Sequence, residues 1–577
     1  MEGATTARRR WLGMGRGATS SGVFDSRLES AAAGLLVAVV LVQLPLTLYL
    51  GSRMEFRYGL GQMLPVWLAL AGAAWLMLLG AARLVPEERR VGAGAAFWAA
   101  ALWAWVSGNL VIFDFGVLTG EPLEFGSKKL WALPELLLAG AVLVVGFWWA
   151  RRRPAPARRL ALAGLCLIAT QALLAVAMDM PKRGPLTPAR PSALARFAPD
   201  DNVLVILLDT FQGDVFAELI DEDPELAAKF AGFQFFPNTL GVARTTALTM
   251  PAVHTGLRFE RGWTLDEYMQ GAAARTGFLD QAARAGSEVV VVNSFGFCPQ
   301  DAVWCGELDR LVGSPWLDLA TEALLPVDLA LFRVAPLVVK RALYGRGHWL
   351  VLRLLGVHRG RQQQEQSFGL LRQVASEARI DEGAATVKFL HLPTPHSPLV
   401  ATSDCELGNE DLAKTRANIR AQSRCALLEV ATLLDRLREL GIMESALVIV
   451  MADHGAGVAL ADADAELPVE WRERMGAANP LLVVKFPGAS GDALSVSQQP
   501  AQIDDVGRTV CDAVEGCGYG SGRPLTFRWG PRRPRRYLDY RWRTDFWYRR
   551  GQIEVTEWEV RGPLRKRDSW RAVEPLQ

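Results

Sequence analysis

The chain has 577 residues, of which 50% are hydrophobic and only 21% charged. That balance excludes a disordered chain, a collagen-like repeat and a small disulfide scaffold, and the length allows three or four domain-sized units. The net charge of +2 conceals an uneven distribution: residues 1–196 carry 21 Lys/Arg against 11 Asp/Glu, residues 197–529 carry 29 against 43, and residues 530–577 carry 13 against 7. The acidic middle would repel a phosphate backbone, which argues against a nucleic-acid partner.

Five apolar stretches come first, near 30–50, 63–82, 92–113, 131–150 and 159–178. Each approaches the ~20 residues that a helix needs to cross ~30 Å of hydrocarbon. The first starts late for a signal peptide, and four similar stretches follow it. Arginines cluster on alternate connections: Arg8, Arg9, Arg10, Arg16 and Arg27 before the first, Arg83, Arg89 and Arg90 after the second, and Arg151, Arg152, Arg153, Arg158 and Arg159 after the fourth. The opposite side holds Arg53, Arg57, Lys128 and Lys129. The positive-inside rule therefore predicts a cytoplasmic N-terminus over 1–29, five transmembrane helices over 30–180, and everything after Met180 on the far side.

The cysteines agree with an oxidising far side. Apart from Cys166 in the fifth stretch, they fall in near pairs: Cys298 with Cys305, Cys405 with Cys425, and Cys511 with Cys517. Near pairs suit short disulfide loops, although six cysteines allow 15 pairings and the sequence alone selects none.

After a Pro- and Arg-rich linker (181–199), unbroken apolar runs predict strands covered on both faces: Val203–Leu208, Val289–Val292, Val387–His391, Ala446–Met451 and Leu481–Phe486. Helical patterns alternate with them, the clearest from Asp411 to Leu440 with Gly441 as its stop. This alternation predicts an α/β doubly wound, mostly parallel sheet domain over 200–525, with a helical insertion at 313–375. The tail, 526–577, reads as a basic, aromatic β element, with strand-like TDFWYRR and QIEVTEWEV. Its Arg532, Arg533, Arg535, Arg536, Arg549 and Arg550 suit either anionic head groups or a solvated hairpin.

Chemistry-bearing residues gather at the strand ends, where open parallel sheets bind ligands. The first strand runs into Asp209. The strand ending at His391 is followed by Thr394, Pro395 and His396, and the next by Asp453 and His454. One such Asp is an ordinary helix cap, but three strand ends of this kind in one domain point to a site. Two carboxylates and an imidazole suit a divalent cation such as Zn²⁺ or Mn²⁺. The segment RTTALTMPAVHTG (244–256) clusters hydroxyls just before Pro251, a residue favoured in a first helical turn. A hydroxyl there sits in the positive field of a helix N-terminus, and contact with the cation would lower its pKa.

The ordered motifs NVLVILLDT (202–210), TTALTMPAVHTG (245–256), LHLPTPHSP (390–398), ADHG (452–455) and NPLLVVKFPG (479–488) resemble the alkaline phosphatase/sulfatase superfamily. The layout resembles its membrane-anchored phosphoethanolamine transferases and lipoteichoic acid synthases. The resemblance implies a bacterial inner-membrane, multi-pass enzyme with its catalytic domain in the periplasm. It implies a metal held by Asp209, Asp453 and His454 together with the nucleophile Thr246, with Thr245 and Thr249 as the other candidates for that role. It also implies that His391 and His396 serve the site, His396 by contacting the transferred anion or protonating the leaving group.

Two departures from the family pattern matter. No histidine follows His454, which favours one metal ion (zinc or manganese, calcium being the third choice) over two. The Cys/Ser-x-Pro-x-Arg signature of sulfatases is absent. The expected function is transfer or hydrolysis of a phosphoethanolamine- or phosphoglycerol-type head group, from an outer-leaflet phospholipid donor to an envelope glycan or lipid acceptor. The alternatives are a sulfuric-ester or phosphodiester hydrolase of the same superfamily and a non-catalytic envelope protein on the same fold. Oligomeric state is not legible.

Overall fold

The computed structural model describes residues 21–573 apart from 54–55, 116–117, 119–122, 124, 180–191, 294, 313–314, 462 and 541–554. Most of the 181–199 linker, the segment TDFWYRR, and Arg549 and Arg550 therefore lie outside the described residues. The chain divides into two units: one of Met1–Phe115, Gly120–Gly184 and Leu319–Leu355, the other of Gly116–Thr119, Pro185–Asp318 and Gly356–Gln577.

Among the described residues, the first unit has five helices long and apolar enough to cross a membrane: Leu28–Gly51, Leu60–Arg83, Glu87–Asn109, Gly126–Arg152 and Pro154–Met178. The chain is a membrane protein. Its helices pack through small residues, as expected where lipid removes the hydrophobic drive between helices. A Cβ on Gly108 would come within 2.7 Å of both Leu44 methyls, so at that level the first and third helices approach closely because the side chain is missing. Next to this contact the first helix widens into a π turn at Val39–Gln43, with Leu44 between it and Pro45. Proline offers no N–H to the preceding turn, and the wider turn accommodates that gap. Gln43 then donates from Nε2 to Asn109 Oδ1 at 3.2 Å. The helices read between 313 and 375 are divided between the units. Residues 319–355 join the first, where Trp67 Nε1 donates to Ala323 O at 2.7 Å, and Arg359–Glu377 joins the second.

The second unit is built on an eight-stranded sheet. Its strands are β1 (Val203–Leu208), β2 (Gln234–Phe235), β3 (Glu288–Val292), β4 (Trp304–Gly306), β5 (Thr386–Leu392), β6 (Leu447–Met451), β7 (Leu482–Lys485) and β8 (Ser495–Val496), in the order β8-β2-β7-β6-β1-β5-β3-β4. β1, β5 and β6 are buried along their whole length, and one apolar cluster covers each face of the sheet. That explains their continuous rather than alternating hydrophobicity. One expected strand departs from the parallel pattern: β7 runs antiparallel to both β6 and β2. The apolar run is the same for either direction, because both of its faces are covered.

The long helix begins later than expected, at Arg416 rather than Asp411. Thr415 is its N-cap, accepting from Asn418 N at 3.3 Å, and residues 407–412 form a short strand instead. Gly441, at φ 75, follows the helix end in the left-handed conformation that glycine adopts without steric cost. All six paired cysteines form disulfides: Cys298–Cys305, Cys405–Cys425 and Cys511–Cys517.

Among its described residues the tail is a packed sheet rather than a solvated hairpin. β9 (Pro534–Asp539), β10 (Thr556–Arg561) and β11 (Trp570–Ala572) form an antiparallel sheet that buries Tyr537, Leu538, Trp558 and Trp570. Arg535 is buried and donates to Ala501 O, Asn238 Oδ1 and Gly562 O at 3.1, 3.1 and 2.6 Å. Arg533 pairs with Asp505, and Arg536 with Glu557. Internal acceptors claim these guanidiniums because the sheet folds back onto the domain.

Candidate active site

Strand register assembles the site. Leu207 is paired with Met451 on one side and His391 on the other, so the ends of β6, β1 and β5 lie side by side. The residues that follow therefore converge: Asp209 after β1, and Asp453 with His454 after β6. One ligand atom from each of Asp209, Asp453 and His454 lies within 4.8 Å of the others. The turn out of β1 is strained. Thr210 holds φ 64, a region that β-branched residues rarely occupy, while its N–H donates to Asp453 Oδ1 at 3.2 Å.

Two carboxylate oxygens of the cluster have no hydrogen-bond donor in the protein. Asp209 Oδ1 and Asp453 Oδ2 are buried without a hydrogen bond, and such atoms are costly unless something fills their valence. His454 Nδ1 lies 3.0 Å from Gly455 O. Donation there places the proton on Nδ1 and leaves the Nε2 lone pair facing the carboxylates, the usual arrangement of a metal-binding imidazole. His454 Nε2 is 3.4 Å from Asp453 Oδ2 and 3.5 Å from Thr246 Oγ1. Bonds of ~2.0–2.1 Å in a tetrahedral site put neighbouring ligand atoms about 3.3–3.4 Å apart. These residues thus fit one divalent cation.

Thr246 is the first residue of the helix Thr246–Thr255, and Thr245 is its N-cap. Pro251 lies inside this helix, not in its first turn, so the helix starts one turn earlier than the proline suggested. The N-cap conformation of Thr245, φ −135 and ψ 146, decides the start instead. Among the three hydroxyls, Thr249 Oγ1 is buried and donates inward to Ala243 O at 3.3 Å, and Thr245 Oγ1 is buried without a partner. Thr246 is half-buried and faces His454.

The two histidines of the 390–398 segment are placed differently. His391 is buried, with Nε2 3.4 Å from Asp209 Oδ2. Burial opposes a charge on either partner, yet their mutual attraction prevails. His391 is raised above its ordinary pKa, while the His396 and His391 charges hold Asp209 well below the usual carboxylate range. His396 is half-buried, and its Nδ1 lies 2.5 Å from Ser397 O. Two buried glutamines hold its loop. Gln422 accepts from Val400 N and Ala401 N at 2.8 and 3.1 Å and donates to Pro395 O and His396 O at 3.3 and 3.2 Å. Gln364 donates to Pro393 O at 3.0 Å. Pro395 and Pro398 have no N–H of their own, so other residues must satisfy the loop's carbonyls.

Sequence reasoning passed over several of these residues. Gln364 and Gln422 carry no motif. Arg244 does open the RTTALTMPAVHTG segment. A Cβ on Gly457 would come within 3.6 Å of its Nη2, so this guanidinium stands beside the loop after His454. His254, in the same segment, packs against Phe297 and Phe389 at 5.1 and 4.9 Å, and burial pushes its pKa down to about 3. It is a neutral core imidazole.

No protein-family profile matches the chain. No curated protein matches it. Solved structures do. A phosphonate monoester hydrolase from Silicibacter pomeroyi is similar at 14% identity, covering 63% of this chain and 85% of its own, with a TM-score of 0.38. A protein of the alkaline phosphatase superfamily from Vibrio parahaemolyticus is similar at 11% identity, covering 67% and 84%, with a TM-score of 0.38. The integral membrane lipooligosaccharide phosphoethanolamine transferase A from Neisseria meningitidis is similar at 14% identity, covering 85% and 96%, with a TM-score of 0.33.

Proposed function

We propose that the chain is a bacterial inner-membrane, sulfatase-like metalloenzyme with its site in the periplasm. In this reading it moves a phosphoethanolamine- or phosphoglycerol-type head group from an outer-leaflet phospholipid to an envelope glycan or lipid, or to water. The observation that carries this reading is the approach of the Thr246 hydroxyl, at a helix N-terminus, to the cluster of Asp209, Asp453 and His454. These three side chains and Thr246 would hold one divalent ion, zinc or manganese by donor type and calcium as the third choice. When bound, such an ion supplies positive charge that favours ionised hydroxyl and offsets charge developing on phosphoryl oxygens.

Thr246 Oγ loses its proton to solvent and attacks phosphorus, forming a Thr–phosphoryl ester as the bond to the lipid alcohol breaks. His396, as imidazolium, gives that alkoxide its proton from Nε2, while Nδ1–H stays on Ser397 O. The N-terminus of the helix that begins at Thr246 would add its positive field to the same oxygens. In the second half, the acceptor hydroxyl gives its proton to His396 and attacks phosphorus, and the P–Oγ bond breaks to release Thr246 as the alkoxide with which the first half began. His391, buried behind Asp209, orients that carboxylate and does not touch substrate.

The test is mass spectrometry of the intact protein after incubation with phosphatidylethanolamine or phosphatidylglycerol vesicles. A donor-derived adduct on wild type that is lost in Thr246→Ala supports the reading. No adduct with either lipid, or an adduct that survives in Thr246→Ala, overturns it. A sulfate- and phosphate-ester panel separates this reading from simple ester hydrolysis. Purification without metal, and no thermal stabilisation by Zn²⁺ or Mn²⁺, would point to a non-catalytic envelope protein.

A further inference from the structure

Residues 337–355 lie in sequence between segments of the second unit but belong to the first. Their anchor is Glu135, one turn inside the fourth apolar helix, where Ala132–Arg152 is regular α-helix. An ionisable side chain at that depth is costly against lipid and calls for a polar partner. Glu135 is buried, and its Oε2 accepts from Leu337 N at 2.7 Å, at the N-terminus of the helix Leu337–Tyr344. A carboxylate at a helix N-terminus is favourable in its own right. The bond also fixes a level: the start of this short helix lies as deep as the first turn of the apolar helix. At that level Leu130 and Leu133 face outward, 80% and 66% exposed.

The short helix and the next one, Leu350–Leu354, show an apolar outer face: Val338, Val339, Leu354 and Leu355 are 64%, 43%, 75% and 61% exposed. Interspersed with them are the exposed Arg341, Arg346 and Arg353. Arg341 lies over the Phe125 ring at 5.5 Å, and Lys128 over Phe115 at 5.4 Å. Tyr344 and Trp349 pack edge-to-face at 5.1 Å just inside. Apolar faces rimmed by Arg, Lys, Tyr and Trp are the composition of a membrane interface, where cations meet anionic head groups and branched side chains enter the acyl boundary.

We propose that residues 337–355 are seated in one leaflet of the bilayer, at the boundary between head groups and hydrocarbon, as a monotopic element clamped to the fourth helix through Glu135. The occupant of the apolar face is lipid. The proposal rests on the reading of the five helices as membrane spans and is independent of any catalytic role.

The test is spin labelling of the full chain, in a Cys166→Ala background, reconstituted in phosphatidylethanolamine/phosphatidylglycerol vesicles. Labels go on Val339→Cys and Leu354→Cys, all at exposed side chains. Val144→Cys, 68% exposed on the fourth helix, serves as the lipid-facing reference, and Glu382→Cys as the aqueous reference. Power saturation should give 339 and 354 an oxygen-to-nickel accessibility ratio several-fold above that of 382 and approaching that of 144. Ratios equal to 382 would overturn the proposal, and so would dipolar broadening between labels of two copies, which would assign the face to self-association. If 144 itself behaves as aqueous, the reading of the spans fails, which is a different result.

Discussion

The two units are legible for opposite reasons. In the first, composition decides: a helix is apolar along its length because lipid surrounds it, and no single residue carries the inference. In the second, register decides. Asp209, Asp453 and His391 mean little until the pairing of Leu207 with Met451 and His391 brings their strand ends together. Structure in lipid is thus robust to most substitutions and sensitive at small-residue contacts, whereas the site depends on a few side chains.

That contrast can be tested from its strongest consequence downward. Thr246→Ala should reduce turnover by ~10³-fold or more while leaving thermal stability within ~0.5 kcal/mol, read by head-group release and a melting curve. A comparable loss of stability would mean that the residue is structural. Asp453→Asn should abolish both activity and stoichiometric metal in elemental analysis. It should also remove the metal-dependent rise in Tm, which is worth about 2.7 kcal/mol at a hundredfold excess over Kd.

Arg535→Met should destabilise the second unit by ~3 kcal/mol in denaturant titration, because Asn238, Ala501 and Gly562 lose a buried donor. Gly108→Val should lower the melting temperature in detergent, with a cost of ~1–3 kcal/mol from overpacking against Leu44, and leave metal content intact.

The smallest effect concerns Lys388. Burial, with help from the Arg196 guanidinium, pushes it down to about 7, and its Nζ donates to Ala193 O at 2.6 Å. The unfolded chain holds this proton up to about pH 10.4, so folding is penalised below pH 7 and relieved as pH rises from 7 toward 10. Lys388→Met should therefore gain a few degrees in Tm over wild type at pH 6, and that advantage should shrink toward pH 10. A constant difference across this range would show that Lys388 is not titrating.

What was legible follows the same division. β1, β5 and β6 could be read because both faces are buried, and the acidic residues after them because carboxylates at strand ends in one acidic domain are conspicuous. The direction of β7 was not legible, since an unbroken apolar run carries no polarity. The helix start at Thr246 was misplaced because Pro251 suggested a first turn, whereas the extended conformation of Thr245 fixes the cap. The roles of Gln364, Gln422 and Arg535 are invisible in one dimension. Each is a common polar residue whose role arises only from the carbonyls that folding brings around it. Glu135 was passed over in the fourth apolar run, and its partner, Leu337, lies far away in the chain.

The corner that presents Thr246 has a third side supplied from the distant tail. Leu538 N donates to Val242 O at 2.9 Å, Arg244 N donates to Leu538 O at 3.2 Å, and Asp539 reaches Arg244. Translation runs from N- to C-terminus, so this corner is made hundreds of residues before the strand that braces it. A nascent or prematurely stopped polypeptide therefore holds Thr246 on a bend that lacks this brace until the distal strand docks.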